Sequence, residues 1–375
     1  MPARRSVTML DALAAVAPGT PLREGLDRIL QAEMGALVVV GDGPDVLNIC
    51  SGGFLLDAAF SPQRLSELAK MDGAIILASD AGRIARANVH LVPNPNVPTS
   101  ETGTRHRTAE RVARSISVPV ISVSEDQSVI AVYVNDEKHP LKDIPRLLNR
   151  SNQALSTLER YKNRLDGVAS SLSVLEIEDL VTLRDVVAVL QRTEMVRRIA
   201  EEIDWDIVEL GADGRLVRLQ LEELMGGVDD DRRLVLRDYF HEGAAWQLGE
   251  STGRLEEALE TLAELDTEEL IDLRVVAATL GLPDADIDLE TNLSPRGYRL
   301  LSKVPRLPEA VIDAIVERFG HLQKIMRATV SDLDEVKERP ASSTATPEVG
   351  DTRLLPACDA LHRARRSSCS RSMIR

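Results

Sequence analysis

The chain is poor in aromatic residues and in cysteine, and it has no long apolar run. Of its 375 residues only 3% are Phe, Trp or Tyr, whereas 43% are hydrophobic, so the core must be built from Ala, Val, Leu and Ile. The three cysteines show no paired spacing, which argues against a disulfide framework and against a zinc site. No stretch of about eighteen apolar residues occurs, so no transmembrane helix is predicted.

Positive charge is also scarce. Lys and Arg number 45 against 60 Asp and Glu, which gives a net charge of −15. This balance argues against a protein that is covered by nucleic acid, although it permits a local basic patch. The N-terminal arginines precede a short apolar run as in a secretory signal, but Asp11 interrupts it. We therefore expect a cytoplasmic location, with association to the nucleoid through any bound DNA.

Changes in pattern divide the chain into four segments. Segment 1–140 alternates helices and strands, which predicts an α/β domain with a mixed sheet covered by helices. Segment 141–284 is predicted to be an all-helical domain, whose charged faces are either solvated surfaces or a partner site. Segment 285–336 has short helices with tight turns, and segment 337–375 is an atypical tail that we expect to be disordered.

Within the first segment the periodicity predicts individual elements. Ser61 and Pro62 are typical of a helix N-terminus, as capping residue and first helical residue. The predicted helices are Pro21–Gly35, Ser61–Met71 and Thr108–Ile116. The predicted strands are Ala36–Gly41, Val46–Cys50, Ala74–Ser79, Arg83–Val92, Val118–Ser124 and Ser128–Val134.

The stretch GTRHRTAERVARS, from Gly103, gathers groups that bind anions where a polar loop meets a helix. A helix N-terminus offers unpaired N–H groups and a partial positive charge to phosphate. Arg105 and Arg107 add charged donors, while Thr104 and Thr108 add hydroxyls. These residues, with His106 between the arginines, suit a polyphosphate, although a surface helix with incidental arginines fits the same pattern. No GxxxxGKS, GxxxxGKT or GxGxxG motif occurs.

Asp72-Gly73 is the second candidate, because it lies between a predicted helix and a predicted buried strand. An aspartate at such a position can bind Mg²⁺ or accept a proton from a hydroxyl, and the glycine lets a ligand approach the backbone. Asp-Gly is also among the commonest turn pairs. Taken alone, the dipeptide therefore favours a plain turn.

Together the two candidates resemble the diadenylate cyclase family. MDGAIILASD and, about thirty residues later, GTRHRTAERVA carry that family's DGA and RHR motifs. SGGF, ANVHLVP and PVISVSED stand in the family's order around them. Downstream, the sequence from YKNRLDGVASS to VIDAIVERFG resembles the family members that carry a helical linker and a helix-hairpin-helix DNA-binding domain. The resemblance runs to about Val336.

The resemblance implies an enzyme that condenses two ATP molecules into cyclic di-AMP and two pyrophosphates. It assigns to Asp72 a Mg²⁺ or Mn²⁺ ion and activation of the ribose hydroxyl. It assigns binding of the triphosphate to Arg105, His106 and Arg107, together with Thr104 and Thr108. It further implies nucleotide contacts by the Gly73 backbone, by the main chain of Leu91 toward adenine, and by Ser124 toward phosphate.

The resemblance also implies partners. Because one domain holds one ATP, two domains must face each other. The resemblance implies that segment 141–284 is the linker and oligomerisation domain, and that such proteins assemble as homo-octamers that bind branched DNA. Paired hairpins bind DNA phosphates through backbone N–H groups. Here the first hairpin reads VPRLP, and KERPASSTATPEVGDTR stands where a second, glycine-containing hairpin is expected. We expect weakened DNA recognition, and we hypothesise that a frameshift replaced the C-terminus.

One alternative remains from a different class of function. The chain can be read as a DNA-binding scaffold or sensor whose ATP site is only regulatory. The complete DGA and RHR motifs favour the enzyme, and the altered C-terminus counts against a pure DNA-binding protein. A generic ATPase lacks support, because neither a Walker lysine nor an obvious base for water is present.

Overall fold

The computed structural model describes residues 8–125, 127–240, 251–282 and 288–337. The chain divides into two compact units, and segments from different parts of the sequence contribute to each. The N-terminal unit contains the chain up to Ser156 together with Glu201–Leu221. The C-terminal unit contains Thr157–Ala200 and the described residues from Glu222 onward. The predicted tail, 337–375, lies outside the described residues except for its first position.

The N-terminal unit begins with thirteen elements of alternating type. The first helices and strands are α1 Met9–Ala15, α2 Pro21–Gln31, β1 Ala36–Val40, α3 Pro44–Asn48, β2 Cys50–Ser51 and β3 Phe54–Ala59. They are followed by α4 Pro62–Leu68, β4 Ala74–Leu77, β5 Arg83–Leu91, α5 Thr104–Ile116, β6 Val120–Ser124, β7 Val129–Val134 and β8 Glu137–Pro140.

The strands form one mixed sheet in the order β2-β5-β4-β1-β6-β7-β8, with β3 also paired to β5. β1 and β4 are parallel, and every other pairing is antiparallel. All five residues of β1 are buried, since successive side chains point to opposite faces and both faces are covered. Leu26 and Leu65 pack with one set of alternate strand residues, and Val112 of α5 packs with the other. The predicted α/β domain with a mixed sheet and covering helices is confirmed.

Helix α4 begins as its sequence predicts. The Ser61 side chain accepts a hydrogen bond from the Arg64 N–H, and Pro62 occupies the first turn. Because a capping oxygen satisfies one of the otherwise unpaired N–H groups of the first turn, this end of the helix is fixed locally.

Three local predictions were wrong. The predicted strand Val46–Cys50 is mostly α3, because Pro44 starts a helix after Gly43; only Cys50 joins a strand. Helix α5 begins at Thr104, four residues before the predicted helix start at Thr108. β3 and β8 were missed, because both lie at sheet edges and lack alternating burial.

The remaining helices begin after β8. Their bounds are α6 Ile144–Glu178, α7 Leu183–Leu210, α8 Arg215–Met225, α9 Val228–Tyr239, α10 Ser251–Glu264, α11 Thr267–Ile271 and α12 Leu273–Thr279, then α13 Tyr298–Ser302, α14 Glu309–Phe319, α15 Leu322–Arg327 and α16 Val330–Lys337. This helical composition after β8 was predicted. None of the described helices combines the length and apolarity needed to cross a bilayer.

The C-terminal unit ends in four short helices with a small core of their own. Tyr298, Leu301 and Val316 are among the buried residues of that core. α13 and α14 are joined by a tight turn in which Arg306 adopts a positive φ of 65°, a conformation that side chains other than Gly, Asn and Asp rarely adopt. Gly320, with φ 76°, ends α14. Both turns lie in segment 285–336, for which the sequence predicted short helices with tight turns.

Candidate nucleotide-binding cleft

A cleft of about 580 Å³ opens in the N-terminal unit where the ends of several sheet strands meet the start of α5. Segments that are distant in sequence form it, so the fold brings the two sequence candidates together. Its walls are Leu37, Asp72, Gly73, Ala74, Val89, His90, Leu91, Gly103, Thr104, Arg105, His106, Thr108, Ser124 and Glu125. Every residue singled out from the sequence lines this cleft except Arg107, which is exposed on α5.

The N-terminus of α5 points its unpaired backbone donors at the cleft. Gly103 is the capping residue and supplies no side-chain oxygen, so the first N–H groups of the helix have no capping partner. The first turn carries no acidic residue. Its partial positive charge is therefore not neutralised locally, which suits an anionic ligand.

The Thr108 hydroxyl is already committed, since it donates to the Thr104 carbonyl at 2.9 Å. The sequence suggested a hydroxyl that donates to the ligand. In this conformation, only the lone pairs of the Thr108 oxygen remain for another partner.

Arg105 lies over Gly35, the residue before β1. A β-carbon built at Gly35 would sit 2.0 Å from one guanidinium nitrogen of Arg105, so the missing side chain leaves the space that the guanidinium fills. Neither the Arg105 guanidinium nor the Arg107 guanidinium has a hydrogen bond or an ion pair with a described residue. Both arginines are therefore available to an anion, but only Arg105 lines the cleft.

His106 is held by two buried hydroxyl groups. Its Nδ1 lies 2.9 Å from the Ser122 Oγ and 3.1 Å from the Tyr133 Oη. Burial of the ring is the largest cause that lowers the pKa of His106; Glu101 opposes this, while Lys138 and Arg105 add to it. The imidazole is therefore neutral at pH 7.

Asp72 and Gly73 form the opposite wall at the start of β4. The Asp72 side chain is exposed and makes no hydrogen bond or ion pair with any described residue. Position 73 requires glycine for a structural reason too, because a β-carbon there would lie 2.7 Å from the Asn88 backbone. The motif thus joins a free carboxylate to a backbone that only glycine permits.

A metal ion at Asp72 would need other ligands from the substrate. Within the described ranges no group of three or more His, Cys, Asp or Glu side chains could hold a metal. One free carboxylate beside a helix N-terminus that suits an anion nonetheless fits Mg²⁺ or Mn²⁺, since Mg²⁺ is commonly bound by one or two carboxylates plus phosphate oxygens and water.

Leu91 and Ser124 lie at strand ends that border the cleft. Leu91 is the last residue of β5 and pairs with Cys50. The Ser124 Oγ accepts the Gln127 N–H at 3.3 Å. Position 53, where φ is 80°, also requires glycine. A β-carbon there would lie 2.7 Å from the Ala87 carbonyl oxygen.

The contacts that fix the loop before α5 were not predicted from the sequence. Glu110, buried on α5, accepts hydrogen bonds from the Thr99 hydroxyl and the Ser100 N–H. Burial raises the pKa of Glu110, but these hydrogen bonds and the charge of Arg114 outweigh it, so the pKa is lowered overall. The Arg111 guanidinium donates to the Val97 carbonyl at 3.0 Å. A glutamate beside apolar helix positions was the one available signal for this fastening.

Comparison with known proteins relates residues 23–138 and 141–287 to two regions of the same family. The family described as the DisA bacterial checkpoint controller nucleotide-binding region matches residues 23–138, and the DisA bacterial checkpoint controller linker region matches 141–287. The DNA integrity scanning protein DisA of Frankia alni is 52% identical over 356 residues, which cover 95% of each chain. That of Streptomyces coelicolor is 53% identical over 328 residues, covering 88% of this chain and 87% of the relative. A crystal structure of DacA from Staphylococcus aureus matches 35% of this chain and 87% of its own at 22% identity and a TM-score of 0.27.

Proposed function

Because the chain belongs to the family of DNA integrity scanning proteins DisA, we propose that it is a diadenylate cyclase that converts two ATP molecules into cyclic di-AMP. The observation that carries the proposal is the cleft itself. It joins a free carboxylate, Asp72, to a helix N-terminus with an unpaired arginine, Arg105. Nucleotidyl transfer needs these two features, one at the attacking hydroxyl and one at the triphosphate.

In the proposed reaction, the 3′-hydroxyl oxygen of each ATP forms a bond to the α-phosphorus of the other. The bond from that phosphorus to its bridging oxygen breaks, and pyrophosphate leaves with the bonding electrons. Asp72 polarises the hydroxyl and takes its proton. Arg105, the α5 N–H groups and His106 bind the triphosphate and stabilise the charge on the leaving group. Mg²⁺ or Mn²⁺, held by Asp72 and phosphate oxygens, would add charge neutralisation.

The reaction needs two copies of the chain, since each ATP must meet the α-phosphate of another. An exposed apolar stretch beside the cleft supports association. Phe54 and Leu55 of β3 are 55% and 76% exposed, and β3 pairs with β5, whose end borders the cleft. Contact between copies would remove this surface from water. We propose the homo-octamer of the family as the working assembly.

DNA sensing is the finer part of the proposal. The relatives are named DNA integrity scanning proteins, and α13 and α14 with their tight turn form the candidate helix-hairpin-helix that would bind DNA phosphates. The turn carries Arg306 at a positive φ where such hairpins often have glycine. The segment that stands where a second hairpin is expected, 337–353, lies outside the described residues except for Lys337. We therefore propose binding to branched DNA with reduced selectivity over linear duplexes.

The test is to incubate the purified full-length chain with ATP and Mg²⁺ or Mn²⁺ and to identify the products by mass spectrometry, with and without branched DNA. Cyclic di-AMP and pyrophosphate are expected. ADP with inorganic phosphate would instead indicate an ATPase. ATP binding and DNA binding without turnover would favour the scaffold whose ATP site is only regulatory.

Arg105 and Arg107 are expected to differ, although both belong to the RHR motif. Arg105→Ala should weaken ATP binding by about ten- to a hundredfold, because a charge-assisted hydrogen bond contributes about 1.5–3 kcal/mol. Arg107→Ala should weaken it less than about fivefold, since an exposed charge outside the cleft is screened. Calorimetric titration with ATP measures both values.

The same pair of variants tests a contact between copies. If Arg107 acts on a nucleotide held by the facing copy, its loss lowers kcat and leaves ATP binding unchanged. Equal losses of ATP affinity in the two variants would contradict the assignment of Arg105 alone to the cleft.

A further inference from the structure

Two hydroxyl groups converge on one nitrogen of His106 from beneath the cleft. Ser122 lies on β6 and Tyr133 on the adjacent β7, and their side chains are 0% and 1% exposed. Both hydroxyls lie within hydrogen-bond distance of Nδ1, at 2.9 and 3.1 Å. Because neither side chain can turn toward solvent, these contacts fix the plane of the imidazole ring.

The other ring nitrogen is left for a ligand. Among the described residues Nε2 has no hydrogen-bond partner, and His106 lines the cleft. A neutral imidazole carries its proton on one nitrogen only, and the partner of one nitrogen decides whether the other donates or accepts. The chemistry of the cleft therefore depends on what the Nδ1 nitrogen does.

Burial keeps the His106 ring neutral, and the charged groups around it act in opposite directions on its pKa. Glu101 lies on the loop before α5, Lys138 on β8, and Arg105 precedes His106 on α5. Glu101 raises the pKa of His106, whereas Lys138 and Arg105 lower it. Lys138 pairs with Glu101 at 2.6 Å, and the Tyr133 hydroxyl reaches the same Glu101 oxygen at 3.4 Å. The Tyr133 hydroxyl can donate either to Glu101 or to Nδ1, and when it donates to Glu101 the Ser122 hydroxyl, 2.9 Å from Nδ1, is the donor to that nitrogen.

We propose that Ser122 and Tyr133 are positioning residues that hold His106 with its proton on Nε2, so that the cleft presents a neutral N–H donor to the triphosphate of ATP. The donor role rests on the proposed function, whereas the tautomer does not. An Nε2 lone pair would repel a phosphate oxygen, while Nε2–H binds it. Fixing the tautomer before the ligand arrives also avoids a proton shift on binding.

The first experiment needs no substrate. Full-length protein labelled with ¹⁵N-histidine contains six histidines, so the solid-state ¹⁵N spectrum of the sedimented protein is simple, and His106→Ala identifies the signals of His106. The wild type is expected to carry the proton on Nε2, and the double variant Ser122→Ala/Tyr133→Phe is expected to show a mixture of both tautomers. A proton on Nδ1 in the wild type, or a double variant with the wild-type tautomer, would overturn the proposal.

The second experiment measures binding of inorganic tripolyphosphate and of ATP by calorimetry. Each single hydroxyl removal should weaken binding no more than about threefold, because the other hydroxyl still donates to Nδ1. The double variant should lose about tenfold or more, within the range of one hydrogen bond to a charged group. In a His106→Ala background the same changes should have no effect.

Ser151→Ala is the matched control, since it removes a fully buried hydroxyl on α6 that bonds the Leu147 carbonyl and lies outside the cleft. It should leave both affinities unchanged. Losses that persist without His106 would mean that the hydroxyls act elsewhere and would end the proposal. Tripolyphosphate binding that depends on the hydroxyls, in a protein that makes no cyclic di-AMP, would instead contradict the proposed function alone.

Discussion

Asp72→Asn is expected to lower cyclic di-AMP synthesis by about a hundredfold or more, while ATP binding changes little. Asparagine keeps the shape of the side chain but removes the charge that polarises the attacking hydroxyl. Loss of one such electrostatic group commonly costs about 10²–10³ in rate. Asp72 makes no hydrogen bond or ion pair with a described residue, so the substitution should not disturb the fold.

Asp80→Asn is the control for this measurement. Asp80 is an exposed aspartate in the turn after β4, where its side chain accepts the Gly82 N–H at 2.9 Å. The comparison uses initial rates of cyclic di-AMP formation together with calorimetric ATP affinity. Near wild-type synthesis by Asp72→Asn would remove Asp72 from the proposed reaction. An equal loss in both variants would point to a general effect of aspartate removal.

Glu176→Ala is expected to destabilise the C-terminal unit by about 3–5 kcal/mol, the usual cost of breaking a buried ion pair by removing one partner. Glu176 and Arg299 are 0% and 1% exposed. The Arg299 guanidinium donates to both Glu176 oxygens, at 2.6 and 3.2 Å, and the Tyr239 hydroxyl donates at 2.9 Å. Removing the carboxylate leaves a buried cation unpaired.

Hydrogen exchange followed by mass spectrometry is the suitable measurement, because a chain of two units need not unfold in one step. Peptides from α6, α9 and α13 should exchange faster in Glu176→Ala. Glu178→Ala, an exposed glutamate at the end of the same helix, is the control. Unchanged protection of α13 in Glu176→Ala would contradict the prediction.

The neighbouring Asp238 gives this cluster a pH dependence. Burial, and then the charge of Glu176, raise the pKa of Asp238 to about 7. Between pH 3.8 and about 7 the folded chain therefore binds more protons than the unfolded chain. The contribution of Asp238 to stability is fully present below pH 3.8 and is lost as the pH rises toward 7. Its three hydrogen bonds from the N–H groups of Gly297, Tyr298 and Arg299 oppose the shift.

The sequence alone determined the class of the fold and the identity of the motifs. The apolar run of β1 is buried on both faces, and Ser61-Pro62 starts a helix as predicted. Signals of this kind are local, because capping and periodicity depend on residues a few positions apart. The DGA and RHR motifs could be read from the same short range.

Only the tertiary structure decided what surrounds those motifs. The Tyr133 hydroxyl reaches His106 across 27 positions, and Glu176 pairs with Arg299 across 123. Gly35, just before β1, makes room for Arg105 of α5. No periodicity encodes such contacts, since they arise when separate elements pack and bury polar groups that must then find partners. The failed strand prediction for Val46–Cys50 has a local cause instead, because Pro44 starts a helix that runs to Asn48.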